Sequence, residues 1–293
     1  MGSSEIPVMQ SIEDLGSRYS AWLVDIWGVM HNGRQAHADA IAATRSFRER
    51  GGVVVLLSNA PRPSPAVREQ IRRLGVPDDA YDAIVSSGDL TRYELAKHNG
   101  ATVFHLGPER DRPIFQDLKM KLGDPEDADL VVCTGLFDDE TETPADYAAL
   151  LSGLAARDVP MICANPDHLV ERGERLVWCA GALAALYEGQ GASVVYAGKP
   201  HAPIYQLAFE TVGKLAGRSV PRNEILAIGD GVMTDIAGAT GLGLGSVFVA
   251  SGLHAPENGE DEAVADLLDA RHLAGLFADA KGKPLAAIRT LVW

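Results

Sequence analysis

Short apolar runs recur along this chain, each closed by a polar residue or a glycine, and this rhythm limits the folds open to it. Ala21-Trp22-Leu23-Val24 runs into Asp25, Val53 to Leu57 runs into Ser58-Asn59, and Ile84-Val85 runs into Ser86-Ser87-Gly88. Between the first two, Ala40, Ile41, Thr44 and Phe47 share one helical face over residues 36–50, and Gly51-Gly52 stops that helix. A Pro-rich turn from Ala60 to Pro65 then opens a helix reaching Leu74. Unbroken apolar runs read as strands buried on both faces. Strands alternating with helices read as a Rossmann-like, doubly wound parallel sheet, so the fold class expected is α/β.

The rhythm restarts at Ala101. Strands are expected at 102–107, 130–134 and 161–164, the last ending on Asn165-Pro166-Asp167, with helices at 147–156 and 179–188. This block reads as a second α/β domain inserted in the first. The boundaries expected are 1–90 and 185–293 for the core and 91–184 for the insert. In the last third, Val194 to Ala197 leads to Gly198-Lys199-Pro200, and a helix follows over 203–215. Ile225 to Gly229 delivers Asp230, Asp235 comes one helical turn later, and Ser246 to Ala250 is the next strand. Residues 255–265 read as an acidic surface loop and the remainder as helix to Trp293.

A formal net charge of −14 argues against nucleic acid or an anionic membrane surface as partner. It also means that a phosphate site needs local cations. The three cysteines lack metal-ligand spacing and sit among apolar residues, as buried thiols of a reducing compartment do. Met1 to Gln10 has neither the basic start nor the apolar run of a signal peptide, and no apolar run approaches bilayer length. The location expected is cytoplasmic.

Polar residues placed just after buried strands of a parallel sheet face one crevice. The residues so placed are Asp25, Ser58-Asn59, Lys199, and Asp230 with Asp235. Clustered carboxylates repel one another unless a cation sits among them, and oxygen-only ligands suit Mg²⁺. Ser58, backbone N–H groups and Lys199 can hold phosphate oxygens, which leaves Asp25 as an in-line nucleophile.

Asp25-x-Trp27-Gly28-Val29, Ser58-Asn59, Gly198-Lys199-Pro200 and Gly229-Asp230-x-x-x-x-Asp235, in that order, resemble the four motifs of the haloacid dehalogenase (HAD) superfamily. Only a short helix separates the first two motifs, so no cap is inserted there. The long block before Lys199 resembles a class II cap, and Asn165-Pro166-Asp167 with residues 198–236 resembles class IIA, the group of 4-nitrophenylphosphatase-like, nucleotidase-like and pyridoxal-phosphatase-like enzymes. The resemblance implies a hydrolase of a small phosphorylated metabolite, with a Mg²⁺ site at Asp25, Asp230, Asp235 and the Trp27 backbone carbonyl. It also implies catalytic roles for Asp25, Ser58 and Lys199, and substrate contacts at Ser58, Asn59 and Lys199. Phosphatases of this superfamily carry a second Asp two residues after the nucleophile, which protonates the leaving alcohol. This chain has Trp27 there, in a form resembling an Asp-x-Trp subgroup.

Several residues keep two readings. His31 either replaces the missing acid or is a satisfied histidine. Asn165 and Asp167 either touch substrate or form an Asx-Pro turn, and Arg62 either binds phosphate or solvates its turn. Trp27 either plugs the site or walls a pocket for an aromatic group. A catalytically weak protein binding a phosphorylated ligand is therefore the alternative to a phosphatase. Carbon–halogen hydrolysis is disfavoured because its enzymes carry their cap between the first two motifs. A homodimer through the cap completes the partners expected.

Overall fold

The computed structural model describes residues 5–172, 175–251 and 268–293, so the acidic loop expected at 255–265 lies outside the described residues. The chain divides into two compact units. The first is Met1–Ser58, Arg68–Val85 and Tyr205–Trp293; the second is Asn59–Val67 with Ser86–Ile204.

The first unit is built on strands β1 (Val8–Met9), β2 (Ala21–Asp25), β3 (Val53–Ser58), β4 (Ala83–Ser86), β12 (Ile225–Gly229), β13 (Gly245–Val249) and β14 (Ala286–Ile288). They lie in the order β1-β14-β13-β12-β2-β3-β4, and the ladders from β1 to β3 are parallel. The chain moves outward from β2 through β3 to β4. It then returns to the other side of β2 at β12 and runs out through β13 and β14. The strand order thus reverses between β2 and β12.

All five residues of β2 are buried, as its unbroken apolar run requires. Trp22 fixes the strand from one side. Its ring stacks on Phe47 of the Ala38–Glu49 helix with centroids 4.0 Å apart, and its indole N–H donates to the Gly16 carbonyl at 3.3 Å. Gly16 allows this approach, because a Cβ there would lie 2.5 Å from the indole. Truncating such a buried ring typically costs about 3–5 kcal/mol, so the register of β2 is strongly held.

The last stretch differs from the helix expected. A helix spans Ala270–Leu276, and β14 then inserts between β13 and β1. Ala286-Ala287-Ile288 and Val8-Met9 are too short to display a period, and they become strands only by pairing.

The second unit has its own parallel sheet, with β5 (Thr102–Leu106), β6 (Lys121–Leu122), β7 (Leu130–Cys133), β8 (Met161–Cys163) and β11 (Val194–Tyr196) in the order β11-β8-β7-β5-β6. A hairpin of β9 (Leu169–Arg172) and β10 (Arg175–Trp178) stands apart from it. Here the order reverses between β5 and β7. The sequence reading gave 185–293 to the first sheet, whereas β11 pairs with β8 in the second. Three residues, Val194-Val195-Tyr196, carry no information about which sheet they join. The Ala180–Glu188 helix packs with its Leu183 and Tyr187 into the same core as Leu106, Val131, Leu151 and Met161. The Tyr187 hydroxyl there donates to the Val159 carbonyl at 2.6 Å.

Cys133, Cys163 and Cys179 are buried thiols of this unit, in no disulfide among the described residues, and burial pushes the Cys133 thiol up to about 12. Among the described residues, no helix is long and apolar enough to cross a membrane.

Candidate active site

The reversal between β2 and β12 is where an open α/β sheet presents a crevice to ligands. Asp25 ends β2, in register with Leu57, so Ser58 extends one residue past it on β3. On the other side Ile228 faces Val24, and Asp230 therefore stands just beyond the end of β12. Asp25, Asp230 and Asp235 each place a carboxylate oxygen within 4.8 Å of the other two, and all three residues are buried. Asp25 Oδ1 accepts the Ile26 N–H at 2.7 Å, which fixes the carboxylate as the chain leaves the strand.

Asp235 reaches the cluster through a local irregularity. Val232–Ile236 forms a single π-helical turn between β12 and the Ala237–Gly241 helix, where an α-helical turn was expected. Such turns are rare and concentrate at functional sites. The Asp235 carboxylate accepts from the Gly231 N–H at 3.2 Å and lies 3.3 Å from the Thr234 hydroxyl. A Cβ on Gly229 would fall 2.2 Å from the Asp235 carboxyl carbon, and one on Gly231 would fall 1.9 Å from the Thr234 hydroxyl. The two glycines let the third acid approach, a role that sequence reasoning missed. The signal available was a glycine on either side of Asp230.

Three buried carboxylate oxygens are the hard, anionic donor set that a divalent cation such as Mg²⁺ takes. The residues present fit such an ion.

Trp27 is 40% exposed, and its ring meets the edge of His31 with centroids 5.3 Å apart. Beneath it lies Gly33, at φ +84°, where a Cβ would come within 2.2 Å of the indole. His31 is buried, and its Nδ1 accepts the Gly33 N–H at 2.9 Å. That bond puts the ring proton on Nε2. Burial, with a smaller effect of neighbouring His37, lowers the His31 pKa to about 4. At neutral pH His31 is therefore an uncharged imidazole holding a turn, which favours the satisfied reading over the acid.

The remaining residues of the sequence reading belong to the second unit. Lys199 is buried and lies three residues beyond β11, the strand that pairs with β8 in the second sheet. Asn59 clamps its backbone: Oδ1 accepts the Lys199 N–H at 2.7 Å, and Nδ2 donates to the Lys199 carbonyl at 3.1 Å and to Asp167 Oδ1 at 2.9 Å. A Cβ on Gly198 would lie 2.6 Å from Asn59 Oδ1, so glycine is needed beside the clamp. Asn165 Oδ1 accepts the Asp167 N–H at 3.1 Å, the Asx turn of the blander reading. Arg62 gives its carbonyl to the Ser86 hydroxyl at 2.7 Å, while its guanidinium pulls down the pKa of Asp111 against the larger upward effect of burial.

Comparison with known proteins follows the same lines. Residues 22–121 match the family model described as haloacid dehalogenase-like hydrolase, and residues 196–274 match a HAD-hydrolase-like model. A crystal structure of a haloacid dehalogenase-like hydrolase from Brucella suis is 44% identical, covers 97% of this chain and 100% of its own, and superposes with a TM-score of 0.83. The chain belongs to the haloacid dehalogenase-like hydrolases. Among other members of the family, a 5'-nucleotidase of Bacillus subtilis is 25% identical over 83% of this chain and 92% of its own. An acid sugar phosphatase of Staphylococcus aureus is 24% identical over 84% of this chain and 92% of its own. The fold is shared with the 4-nitrophenylphosphatase of Thermotoga maritima, at 22% identity, 93% and 95% coverage and a TM-score of 0.69.

Proposed function

We propose that this HAD-like hydrolase is a Mg²⁺-dependent phosphatase of a small phosphorylated metabolite, working through an aspartyl-phosphate at Asp25. The observation that carries the reading is the convergence of Asp25, Asp230 and Asp235 within 4.8 Å at the sheet's reversal. The printed functions of the relatives, a 5'-nucleotidase and acid sugar phosphatases, support the same chemistry.

In this reading an Asp25 carboxylate oxygen attacks phosphorus, the bond to the leaving oxygen breaks, and water later releases phosphate from the acyl-phosphate. A Mg²⁺ held by Asp25, Asp230, Asp235 and the Trp27 carbonyl would supply positive charge for the phosphoryl oxygens. Ser58 and Lys199 are assigned to those same oxygens, and Asn59 to orienting Lys199. Arg62, Asn165 and Asp167 are assigned to the substrate's remainder. The second unit takes the role of the class II cap, with self-association through it as part of the same reading. Its buried thiols suit a cytoplasmic setting.

Trp27 cannot exchange protons at neutral pH, and a neutral His31 holding Gly33 does not replace it. The leaving group therefore departs without general-acid help. This supports aryl and acyl phosphates as better substrates than alkyl ones. It also favours a second reading, a protein that binds a phosphorylated ligand and turns it over weakly. The deciding experiment is a phosphatase screen with aryl, acyl and alkyl phosphates at millimolar Mg²⁺. Turnover that disappears in Asp25→Asn supports the phosphatase. Ligand binding equal in wild type and Asp25→Asn, with no turnover of any ester, supports the binder. Mg²⁺ should raise the melting temperature by mass action, and Asp230→Ala should abolish the rise.

A further inference from the structure

The second sheet reverses its strand order between β5 and β7, and a crevice outside the carboxyl ends of such strands is where α/β sheets take ligands. Three polar side chains meet at that point. His105 comes from β5, Thr134 directly follows β7, and Asp111 reaches in from the 3₁₀ turn Glu109–Phe115. His105 Nε2 lies 2.9 Å from the Thr134 hydroxyl, and Thr134 hydrogen-bonds Asp111 in turn. Thr134 and Asp111 are buried. The backbone leaves them room through glycine. Gly107 has φ +155°, and a Cβ there would lie 2.0 Å from the Thr134 hydroxyl oxygen; Gly135, at φ +156°, follows Thr134 directly.

We propose that His105, Thr134 and Asp111 form a second ligand site, within the second unit alone, for a ligand bearing neighbouring hydroxyl groups. This goes beyond the phosphatase reading, whose metal-binding carboxylates lie in the first unit. The donor order selects the chemistry. An ionised Asp111 can only accept, so the Thr134 hydroxyl donates to it and must itself accept from His105 Nε2–H. The imidazole is neutral, since burial takes its pKa to about 4, and Nδ1 is then its acceptor. A carboxylate and an imidazole lone pair offer acceptors to a ligand's hydroxyls. The guanidinium of Arg110, and less strongly that of Arg62, acts on Asp111, and that of Arg112 acts on His105. A polyol fits the acceptors of this set. The hydroxyls can belong to a free polyol or to the non-phosphorylated part of an ester.

The test uses the full chain and ligand-observed NMR with D-ribose and ribose 5-phosphate, comparing wild type with Thr134→Val, Thr134→Ser and Asp111→Asn. The expected result is ribose binding in wild type, weakened about tenfold by Thr134→Val and by Asp111→Asn, as loss of one hydrogen bond implies, and kept by Thr134→Ser. Melting curves and the Mg²⁺ response verify that each variant is folded. For the source, KM is measured with ribose 5-phosphate and 4-nitrophenyl phosphate. A tenfold rise in Thr134→Val for the first ester alone assigns the site to the ester's hydroxyls. Ribose binding with both KM values unmoved assigns it to a free polyol. The proposal is overturned if neither ribose compound binds, or if both bind Thr134→Val as they bind wild type. The NMR arm needs no turnover, so a chain that binds ribose but hydrolyses nothing loses the phosphatase reading and keeps this site.

Discussion

Each parallel sheet reverses its strand order once, and the two reversals are furnished differently. Between β2 and β12 the residues are three carboxylates within 4.8 Å, two of them delivered at the strand ends. Between β5 and β7 they are one carboxylate, one hydroxyl and one neutral imidazole in a hydrogen-bonded chain. Both places use glycine to bring side chains and backbone unusually close, Gly229 and Gly231 in the first and Gly107 in the second. The backbone device is thus shared, and charge decides the occupant. In the proposed reading the three carboxylates take a cation and, through it, a phosphoryl group. One carboxylate already bonded to a hydroxyl suits a neutral ligand.

The sharpest way to break this comparison is to disable one reversal and read the other. Asp25→Asn should lower phosphatase turnover by at least about 10³-fold, as loss of a nucleophile does, without changing ribose binding. Thr134→Val should leave 4-nitrophenyl phosphate turnover within twofold. If Thr134→Val removes turnover as thoroughly as Asp25→Asn, the two places are one site and the division fails. Next in size is the leaving-group effect. Across phosphate esters graded by leaving-group pKa, wild-type kcat should fall steeply toward the alkyl members. Trp27→Asp should raise alkyl turnover by up to about 10²–10⁴-fold, the usual contribution of a general acid. A flat series in wild type would show that another group supplies the proton.

How much of this was legible in the sequence follows the same division. Asp25 and Asp230 could be read because an apolar run points directly at each, and a run of four or five residues fixes which end of a strand an acid occupies. Lys199 follows a run that looks alike, yet its strand joins the other sheet. Sequence gives strand ends but not strand partners, so the run before Lys199 does not reveal which sheet its strand joins. The second reversal was illegible for a related reason. It exists because the two-residue β6 pairs outside β5, and Lys121-Leu122 has no strand signature. Asp111 lies in an irregular turn whose spacing to His105 and Thr134 has no period, so nothing marked the three as neighbours. The π turn at Val232–Ile236 kept Asp235 in the cluster where an α turn was expected, because the acid's spacing from Asp230 survives either winding.

The pH dependence separates the groups at the second reversal. Burial, with a smaller contribution from Arg112, lowers the folded His105 pKa from 6.5 to about 4. Between those values the unfolded chain binds a proton that the folded chain refuses, so stability falls as pH drops through this window, by up to about 3 kcal/mol. Asp111 acts in the opposite sense. Burial raises its pKa, so its contribution is present at low pH and is lost as pH rises through the folded value. Urea unfolding from pH 7 to 4.5 should show wild type losing stability toward acid and His105→Gln losing less. Equal slopes would show that His105 titrates normally, and with that its assigned proton order at Thr134 would fall.

The smallest effect expected tests the joint that serves Lys199. All three hydrogen bonds of the Asn59 amide, at 2.7–3.1 Å, go to the Lys199 backbone and Asp167, which leaves the amide little capacity for a substrate. Asn59→Ala removes two restraints on Lys199 at once and strips Asp167 of one donor. A buried donor left unsatisfied costs about 1–3 kcal/mol. If that strain is relieved by the Lys199 backbone shifting, its ammonium leaves the phosphoryl oxygens to which the proposed mechanism assigns it. The loss then appears in the transition state, as a fall in kcat of about tenfold with KM little changed. A substrate contact at Asn59 would give the reverse, a raised KM with kcat kept. Asn59→Asp refines the test, because it keeps an acceptor for the Lys199 N–H but offers no donor to the Lys199 carbonyl and sets a second charge against Asp167. It should fall at least as far in kcat as Asn59→Ala. Full kcat in either variant would release Lys199 from the clamp and return Asn59 to the substrate.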